Sequence, residues 1–190
     1  MKSLNNWLLV LSVLSCFGCS SPVHEDDRGC AFVSDSIQYR VEFMSAGCVR
    51  ILSFPEGDTL VTRRLVVDSE KPAFKDYKWE DTGQKLLFRT RELSVVFDKA
   101  DVAFTFQETS TGKLLLKEKG DRKARNFKRS VAGGEQCLEV TQRFVPTEDE
   151  AIYGLGQYQN GIMNYRGKSV LLLQANMDIV NPFLISTNGS

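Results

Sequence analysis

The stretch IQYRVEF, residues 37–43, decides the fold. Its apolar residues stand at every second position, and Gln38, Arg40 and Glu42 fill the positions between them. Because successive side chains of a β-strand point to opposite faces, this alternation predicts a strand with one face buried and one face in solvent. Strands of that kind are typical of antiparallel sheets, which commonly pack only one face on a core.

The same two-residue period recurs in the stretches VAFTFQ, residues 102–107, and LEVTQRF, residues 138–144. Turn signals separate these segments at 56–58, 81–83, 110–112 and 133–134, and no helical period appears outside the N-terminal segment. About ten short strands with adjacent hairpins predict an all-β fold of two antiparallel sheets packed face to face, a β-sandwich. The shorter candidate strands are 49–54, 64–67, 85–90, 93–97, 114–117, 170–174 and 183–186.

Length and composition indicate one exported or soluble globular domain, or one domain with a piece of another. The chain has 190 residues, 42% of them hydrophobic and 25% charged, with a formal net charge of zero. A neutral chain has no overall field that would attract nucleic acid, so we expect no nucleic-acid partner. The basic run 117–129, with seven basic and two acidic residues, is interpreted as a solvated loop, because Phe127 is its one aromatic residue.

The N-terminus has the pattern of an export signal. Lys2 precedes an apolar run, residues 7–14, that is too short to span a bilayer, and small residues and cysteines follow. The segment resembles a bacterial lipoprotein signal. We expect residues 1–19 to be the signal ending at a lipidated Cys19, and residues 20–35 to be a tether. Cys16 is the competing lipidation site, and an ordinary cleaved secretory peptide is the other alternative.

The three remaining cysteines are Cys30, Cys48 and Cys137. They are widely spaced, and His24 is the one histidine of the chain, so we expect no metal site. An exported protein could form one disulfide among them. We favour buried, apolar thiols, because Cys48 and Cys137 each stand at the edge of a strand-like run. By the same reasoning Trp79, in the irregular stretch 72–80, is expected to pack against the sandwich.

The segment EAIYGLGQYQNGIMNYRGK, residues 150–168, has the composition of a functional loop. It is rich in Gly, Asn, Gln and Tyr, and no acidic residue occurs between Glu150 and Asp178. Gly154 and Gly156 lack the third glycine and the following helix of a dinucleotide-binding loop. We therefore interpret these two glycines as a bulge or tight turn at the end of a strand.

Three motifs of this region resemble the end of the N-terminal β-sandwich of glycoside hydrolase family 31, the α-glucosidases and α-xylosidases. They are YGLGQ at 153–157, NYRG at 164–167 and PFLIS at 182–186. The resemblance implies a galactose-mutarotase-like sandwich over residues 36–190, incomplete at its C-terminus. Many members have Glu where this chain has Gln157, and the Gln form resembles the bacterial α-xylosidase branch.

The resemblance also implies that catalysis belongs to a domain other than the sandwich. In the family, two aspartates of a following (β/α)₈ barrel perform retaining hydrolysis, one as nucleophile and one as acid. This chain ends before such a barrel, so we expect no catalytic residue, no cofactor and no activity from the chain alone. The expected partners are the barrel of the full-length enzyme, an α-linked oligosaccharide, and a membrane reached through the lipid anchor. The expected location is the periplasm or outer membrane of a Gram-negative bacterium.

Amide and hydroxyl groups of this region are the candidate sugar ligands. Amides, hydroxyls and aromatic rings match the hydroxyl pairs and C–H faces of sugars, and the resemblance places a loop with an Asn-x-Asp pattern over the barrel mouth. We predict Asn160, Tyr165, Asn176 and Asp178 as substrate-binding residues; Asp178 could instead be a simple turn residue. Two other functions remain open: a surface lipoprotein that binds glycans without hydrolysing them, and a structural or assembly lipoprotein.

Overall fold

The structure is a computed structural model that describes residues 22–58, 73–120 and 125–189. Within these ranges the secondary structure consists of strands and turns, without a helix, which confirms the all-β prediction. The described residues therefore contain no helix long and apolar enough to cross a membrane. The strands are β1 His24–Glu25, β2 Cys30–Ser34, β3 Ile37–Ser45, β4 Cys48–Pro55, β5 Lys78–Asp81, β6 Lys85–Arg89, β7 Leu93–Asp98, β8 Ala103–Glu108, β9 Leu114–Lys117, β10 Arg125–Ala132, β11 Glu135–Gln142, β12 Ile152–Gln157 and β13 Ile179–Ser186.

Two meandering sheets form the body of the domain. The first has the order β1-β2-β3-β4 and the second the order β5-β6-β7-β8-β9, and every pairing is antiparallel. Strands that follow each other along the chain are neighbours in the sheet, because short turns between them leave little choice of partner. The hairpins β10–β11 and β12–β13 form two further two-stranded sheets.

Aromatic rings join the two larger sheets into a sandwich. Phe32 and Tyr39 of the first sheet lie 4.8 and 5.2 Å from Phe97 of the second, measured between ring centroids. Tyr39 also meets the ring of Phe104 edge-on at 5.8 Å. Fully burying one such ring contributes roughly 1.5–3 kcal/mol, so this cluster is the main source of cohesion between the sheets. The other buried core residues are Cys30, Val41, Phe43, Leu86, Phe88, Leu93, Val95 and Val102.

The outer face of the first sheet carries a network of charges. Arg40 donates from Nε to a carboxylate oxygen of the buried Glu42, at 3.0 Å, and from Nη2 to both carboxylate oxygens of Asp26. Arg50 pairs with the other oxygen of Glu42 at 3.6 Å. The guanidinium of Arg40 lowers the pKa of Asp26 from its ordinary value of 3.8 to about 2. Alternation of strand side chains thus gives β3 an aromatic inner face and an ion-paired outer face.

The sheet begins earlier than the sequence indicated. The tether predicted for residues 20–35 is wrong from His24 onward, because β1 and β2 lie within it and pair with each other and with β3. Cys30 and Phe32 of β2 are buried in the core, which the polar composition around them concealed. Cys16 and Cys19, the candidate lipidation sites, lie outside the described residues.

The prediction of three buried thiols is correct for Cys30 alone. All three cysteines are free thiols, and Cys48 and Cys137 are exposed. Cys48 begins β4 directly after a turn, Cys137 lies on β11 of the two-stranded β10–β11 sheet, and both side chains are exposed. Trp79, by contrast, packs against the core cluster as expected.

Two further predictions, one of a strand and one of a loop, need correction, and one predicted strand lies outside the described residues. Residues 170–174 form no strand, and the leucines of this run are exposed. Residues 125–129 of the basic run, predicted as a loop, belong to β10 and pair with β11, because Phe127 stands opposite Val140 in a regular ladder. The candidate strand 64–67 lies outside the described residues.

Candidate functional site

The β12–β13 hairpin provides the frame of the site. Gly154, Leu155 and Gly156 all have positive φ angles, of 105°, 67° and 114°, and the strand register shifts between the two glycines. A side chain at Gly156 would bring its Cβ to 1.9 Å from the carbonyl oxygen of Ile179 on β13. The Gly-x-Gly motif is therefore a bulge at close backbone contact, as the sequence predicted, and it bends β12 ahead of the following loop.

A cleft of about 460 Å³ lies beside this hairpin. Three chain segments line it: the loop that follows β12, the stretch after the 164–167 turn, and the turn that precedes β13. Asn160, Asn176 and Asp178, three of the four predicted sugar ligands, come together in this lining. The other lining residues are Tyr158, Gln159, Ser169, Val170, Leu171 and Met177.

Asn176 and Asp178 are held by a tight turn. The amide of Asp178 donates to the carbonyl of Ala175 at 3.3 Å, and Ala175 and Asp178 form a β-bridge. The side chain of Gln174 closes the turn, since its Nε2 donates to the carbonyl of Asp178 and its Oε1 accepts from the amide of Val180, both at 3.0 Å. Asp178 is thus a turn residue and a cleft residue at once, so the two interpretations of it are compatible.

Asn160 and Tyr158 are fixed by local contacts of their own. The Oδ1 of Asn160 accepts from the amide of Ile162 at 2.9 Å, an Asx turn of the kind that orders short polar loops. The hydroxyl of Tyr158 donates to the carbonyl of Leu155 at 3.0 Å and is thereby tied to the bulge. The side chain of Asn160 is exposed towards solvent, and so is that of Asn176.

Tyr165 does not join the other predicted ligands. Its side chain is only 8% exposed and is not part of the cleft lining. The turn that carries it is bound to the start of β12: Asn164 Oδ1 accepts from the amide of Ile152 at 3.1 Å, and the amide of Tyr165 donates to the carbonyl of Ile152 at 2.8 Å. These contacts turn the Tyr165 ring inward, where it supports the loop.

A buried polar cluster lies under the same turn, and it was not predicted from the sequence. The carboxylate of Glu150, only 5% exposed, accepts from the amide of Thr147 at 2.7 Å and from the hydroxyl of Ser186. Arg166 donates from Nη1 to the carbonyls of Thr147 and Glu150, the latter at 2.7 Å. An acid just before a strand and a basic residue in a loop are too common in sequence for their meeting in one cluster to be predicted.

What the cleft can do chemically follows from its lining. Asn160, Gln159 and Asn176 each offer a planar amide with both donor and acceptor groups, Ser169 offers a hydroxyl, and Asp178 offers a carboxylate that accepts only. Such a set can hydrogen-bond the neighbouring hydroxyls of a sugar ring. The extra residues, Gln159 and Ser169, belong to the same acid-free segment that singled out Asn160, so composition was the signal that could have found them.

An apolar surface adjoins the cleft. Leu171 and Leu173 are 80% and 59% exposed, and Met177 and Phe183 are exposed to a similar degree. The apolar face of the β10–β11 hairpin is exposed as well, including Val131 and Val140. Exposed apolar residues in such numbers are unusual on a monomer and typical of an interaction surface.

Comparison with known proteins agrees with the β-sandwich fold. Residues 38–188 match the profile of the glycosyl hydrolase 31 N-terminal galactose mutarotase-like domain. An α-xylosidase from Saccharolobus solfataricus is 31% identical over 169 residues, which cover 81% of this chain and 21% of that protein. Among crystal structures, the family 31 α-xylosidase from Xanthomonas citri superposes with a TM-score of 0.72 at 28% identity, over 87% of this chain and 18% of that one.

A family 31 α-xylosidase from a soil metagenome, solved in complex with xylose, shares the fold with a TM-score of 0.66 at 24% identity. The match covers 89% of this chain and 27% of that protein. The chain thus spans about a fifth to a quarter of the length of these relatives. From the profile match over residues 38–188 and the β-sandwich described above, the chain belongs to the family of N-terminal galactose mutarotase-like domains of glycosyl hydrolase family 31.

Proposed function

We propose that this domain forms part of the sugar-binding rim of a longer α-glycosidase that acts on α-xylosides or α-glucosides. The observation that carries the proposal is the convergence of Asn160, Asn176 and Asp178 in one cleft. Two relatives that match most of this chain are α-xylosidases, which favours an α-linked xylose or glucose unit as the ligand.

In this proposal the residues of the chain bind and orient the sugar, and the barrel of the full-length protein performs the retaining double displacement. The amides of Asn160 and Asn176 hydrogen-bond hydroxyls on the ring, and Asp178 accepts from another hydroxyl. Each neutral hydrogen bond contributes about 0.5–1.5 kcal/mol, and a bond to the charged Asp178 contributes about 1.5–3 kcal/mol. Binding energy of this size is enough to change substrate affinity measurably.

The exposed apolar residues support the barrel as the partner of this domain. Two-stranded hairpins are marginally stable alone, yet β12–β13 exposes Phe183, Leu184 and Ile185, all between 47% and 58% accessible. Leu171, which lines the cleft, and Leu173 are exposed as well. We propose that the barrel covers this surface and that the cleft opens beside it, where bound sugar would meet both domains.

The test uses the full-length protein that contains this domain. We expect hydrolysis of p-nitrophenyl α-xyloside or α-glucoside, and we expect Asn176→Ala to raise KM about fivefold to tenfold, the loss of one hydrogen bond, with little change in kcat. Asn181→Ala is the matched control, because Asn181 is exposed on β13 but lies outside the cleft lining. Absence of α-glycosidase activity, or equal KM values for both variants and the wild type, would refute the proposal.

The second candidate function is a surface lipoprotein that binds glycans without hydrolysis. This function is favoured because this chain by itself supplies the hydrogen-bonding groups that line the cleft. Isothermal titration of the 190-residue chain with xylo- and gluco-oligosaccharides distinguishes the two functions. Tight binding by the isolated chain supports the lipoprotein, whereas binding that needs the barrel supports the enzyme.

We further propose that the protein is exported and anchored by lipid at Cys19, in the periplasm or at the outer membrane. Lys2, the apolar run 7–14 and the small residues before Cys19 support this proposal. Incorporation of labelled palmitate into the wild type, lost in Cys19→Ala and kept in Cys16→Ala, is the expected result. Loss of label in Cys16→Ala alone would move the anchor to Cys16.

A further inference from the structure

We infer that Arg166 is the positioning residue of the cleft: its guanidinium fixes the segment that carries Asn160 by holding the carbonyls of Thr147 and Glu150. This inference rests on the proposed sugar-binding role of the cleft. Arg166 itself is absent from the cleft lining, so any effect on binding must act through the segments that it holds.

The first step is the shape of the 147–150 loop. The carboxylate of Glu150 folds back to accept from the amide of Thr147, and the amide of Glu150 donates to the carbonyl of Thr147 at 3.4 Å. This closed loop presents the carbonyl oxygens of Thr147 and Glu150 on one side. Arg166 donates from Nη1 to both of them. The guanidinium of Arg166 thus bonds two main-chain carbonyls. The buried carboxylate of Glu150 holds the loop that presents them.

The second step links this loop to the end of β13. The hydroxyl of Ser186 donates to Glu150, and the same Ser186 oxygen accepts from the amide of Asn188 at 3.0 Å. The Nδ2 of Asn188 in turn donates to the hydroxyl of Thr147 at 2.8 Å. The chain just before β12 and the end of β13 are therefore bound into one polar cluster. None of the residues of this cluster belongs to the cleft lining.

The third step connects the cluster to the cleft. Asn164 Oδ1 accepts from the amides of Ile152 and Arg166, at 3.1 and 3.0 Å, and binds the 164–167 turn to the start of β12. The cleft loop 158–163 runs between the end of β12 and this turn, and the lining residues Ser169 to Leu171 follow directly after it. Arg166 is consequently the side chain that fastens the far end of the cleft loop to the 147–150 loop.

Removing these bonds should loosen the loop without opening the sandwich. The bonds from Arg166 Nη1 go to main-chain carbonyls of the 147–150 loop, whereas the core that joins the two larger sheets is made of hydrophobic residues of those sheets. We therefore expect a loss of affinity equal to that of one weakened hydrogen bond from Asn160, up to about tenfold, with the core intact.

The experiment compares Arg166→Gln, Arg166→Lys and Lys168→Gln in the full-length protein and in the 190-residue chain. Lys168→Gln removes the same charge from an exposed position of the same turn region and serves as the control. KM and kcat for p-nitrophenyl α-xyloside report on the sugar, and amide hydrogen exchange of residues 158–165 and of Leu93–Asp98 reports on the loop and on the core.

The expected result is faster exchange at 158–165 in Arg166→Gln, with a KM raised up to about tenfold and a nearly constant kcat, partial recovery in Arg166→Lys, and wild-type behaviour in Lys168→Gln. Amide exchange at residues 158–165 that is as slow in Arg166→Gln as in the wild type would overturn the inference. Loss of protection in Leu93–Asp98 as well would assign Arg166 to global stability and also overturn it. A wild type without activity or sugar binding refutes the proposed function, whereas the exchange data still decide whether Arg166 fixes the loop.

Discussion

The indole nitrogen of Trp79 donates a hydrogen bond to the carboxylate of Glu25 at 2.9 Å and joins the outermost strands of the two sheets. The hydroxyl of Tyr77 donates to the other carboxylate oxygen, also at 2.9 Å. The bond from Trp79 and then that from Tyr77 lower the pKa of Glu25, against the opposing effect of burial. The charged carboxylate of Glu25 thus links β1 to β5 through hydrogen bonds.

Replacing Glu25 should open this edge of the sandwich. In Glu25→Ala we expect a red shift of Trp79 fluorescence and faster amide exchange in β1 and β5, because both ring donors lose their shared acceptor. Asp27→Ala is the control, since Asp27 is a neighbouring exposed acid. An unchanged emission maximum in Glu25→Ala would show that packing alone holds Trp79.

Acid should weaken the domain through Asp26. The pKa of Asp26 is lowered to about 2 by its hydrogen bonds with Arg40, so the folded state holds the charged form more tightly than the unfolded state does. The stabilisation is therefore complete above pH 4 and is lost as the pH falls from about 4 towards 2. Because the Asp26 side chain is 36% exposed, solvent screening keeps the effect modest.

Urea unfolding of the wild type and Asp26→Asn between pH 7 and pH 2 measures this effect. We expect Asp26→Asn to be the less stable protein at pH 7, and we expect the difference between the two to shrink below pH 4. A difference that stays constant down to pH 2 would contradict the assignment. Asp27→Asn is a suitable control for removing a neighbouring exposed acid.

The three cysteines of the sandwich should react with thiol reagents very unequally. Burial raises the pKa of Cys30 to about 11, so at pH 8 its thiolate fraction is very small and its sulfur is also inaccessible. Cys48 and Cys137 are exposed. Peptide mapping after iodoacetamide treatment should find label on these two in the native protein, and on Cys30 only after denaturation. Label on native Cys30 would contradict its placement in the core.

The bulge of β12 should not tolerate a side chain at Gly156. The Cβ of alanine would lie 1.9 Å from the carbonyl oxygen of Ile179, at a φ of 114° that alanine rarely adopts. We expect Gly156→Ala to separate β12 from β13 and to cost more than the roughly 1–3 kcal/mol of backbone strain alone. Gly112→Ala, also at positive φ but with nothing within 4 Å, is the control that isolates the backbone strain. Equal protection of β12 amides in both variants would argue against the clash.

The aromatic cluster should dominate the free energy of unfolding. Phe97 contacts the rings of Phe32, Tyr39 and Phe104 and is fully buried, so Phe97→Ala should cost about 3–5 kcal/mol. Phe97→Leu retains most of the apolar volume and should cost less. Urea unfolding followed by circular dichroism measures both, and similar small losses in the two variants would mean that the cluster relaxes around the cavity.

The sequence predicted those parts of the fold that depend on neighbours along the chain. The alternation in IQYRVEF places Tyr39, Val41 and Phe43 on one face, and the structure buries all three. The glycines of β12 were predicted as a bulge because glycine adopts positive φ angles, here 105° and 114°, far more readily than other residues do. The run 170–174 was predicted wrongly as a strand, because apolar residues resemble a strand whether or not another strand lies beside them.

The candidate site was predicted in part, for the same reason. Composition singled out Asn160, the resemblance to family 31 singled out Asn176 and Asp178, and the β12–β13 hairpin brings the three together across 18 residues of chain. Composition could not show that Tyr165 lies under the turn instead of in the cleft, nor that Glu150 meets Ser186. Those contacts join residues that are far apart in sequence.

The sequence by itself thus determined the strand period and the all-β class, since side-chain alternation and turn chemistry act over a few residues. The motifs at 153–157, 164–167 and 182–186 carried the resemblance to the family. Only the tertiary structure decided which thiol is buried, which polar groups share a cleft and which apolar residues remain exposed. The physical reason is that burial depends on the strands and loops that the folded chain places beside each residue, and local patterns do not record those neighbours.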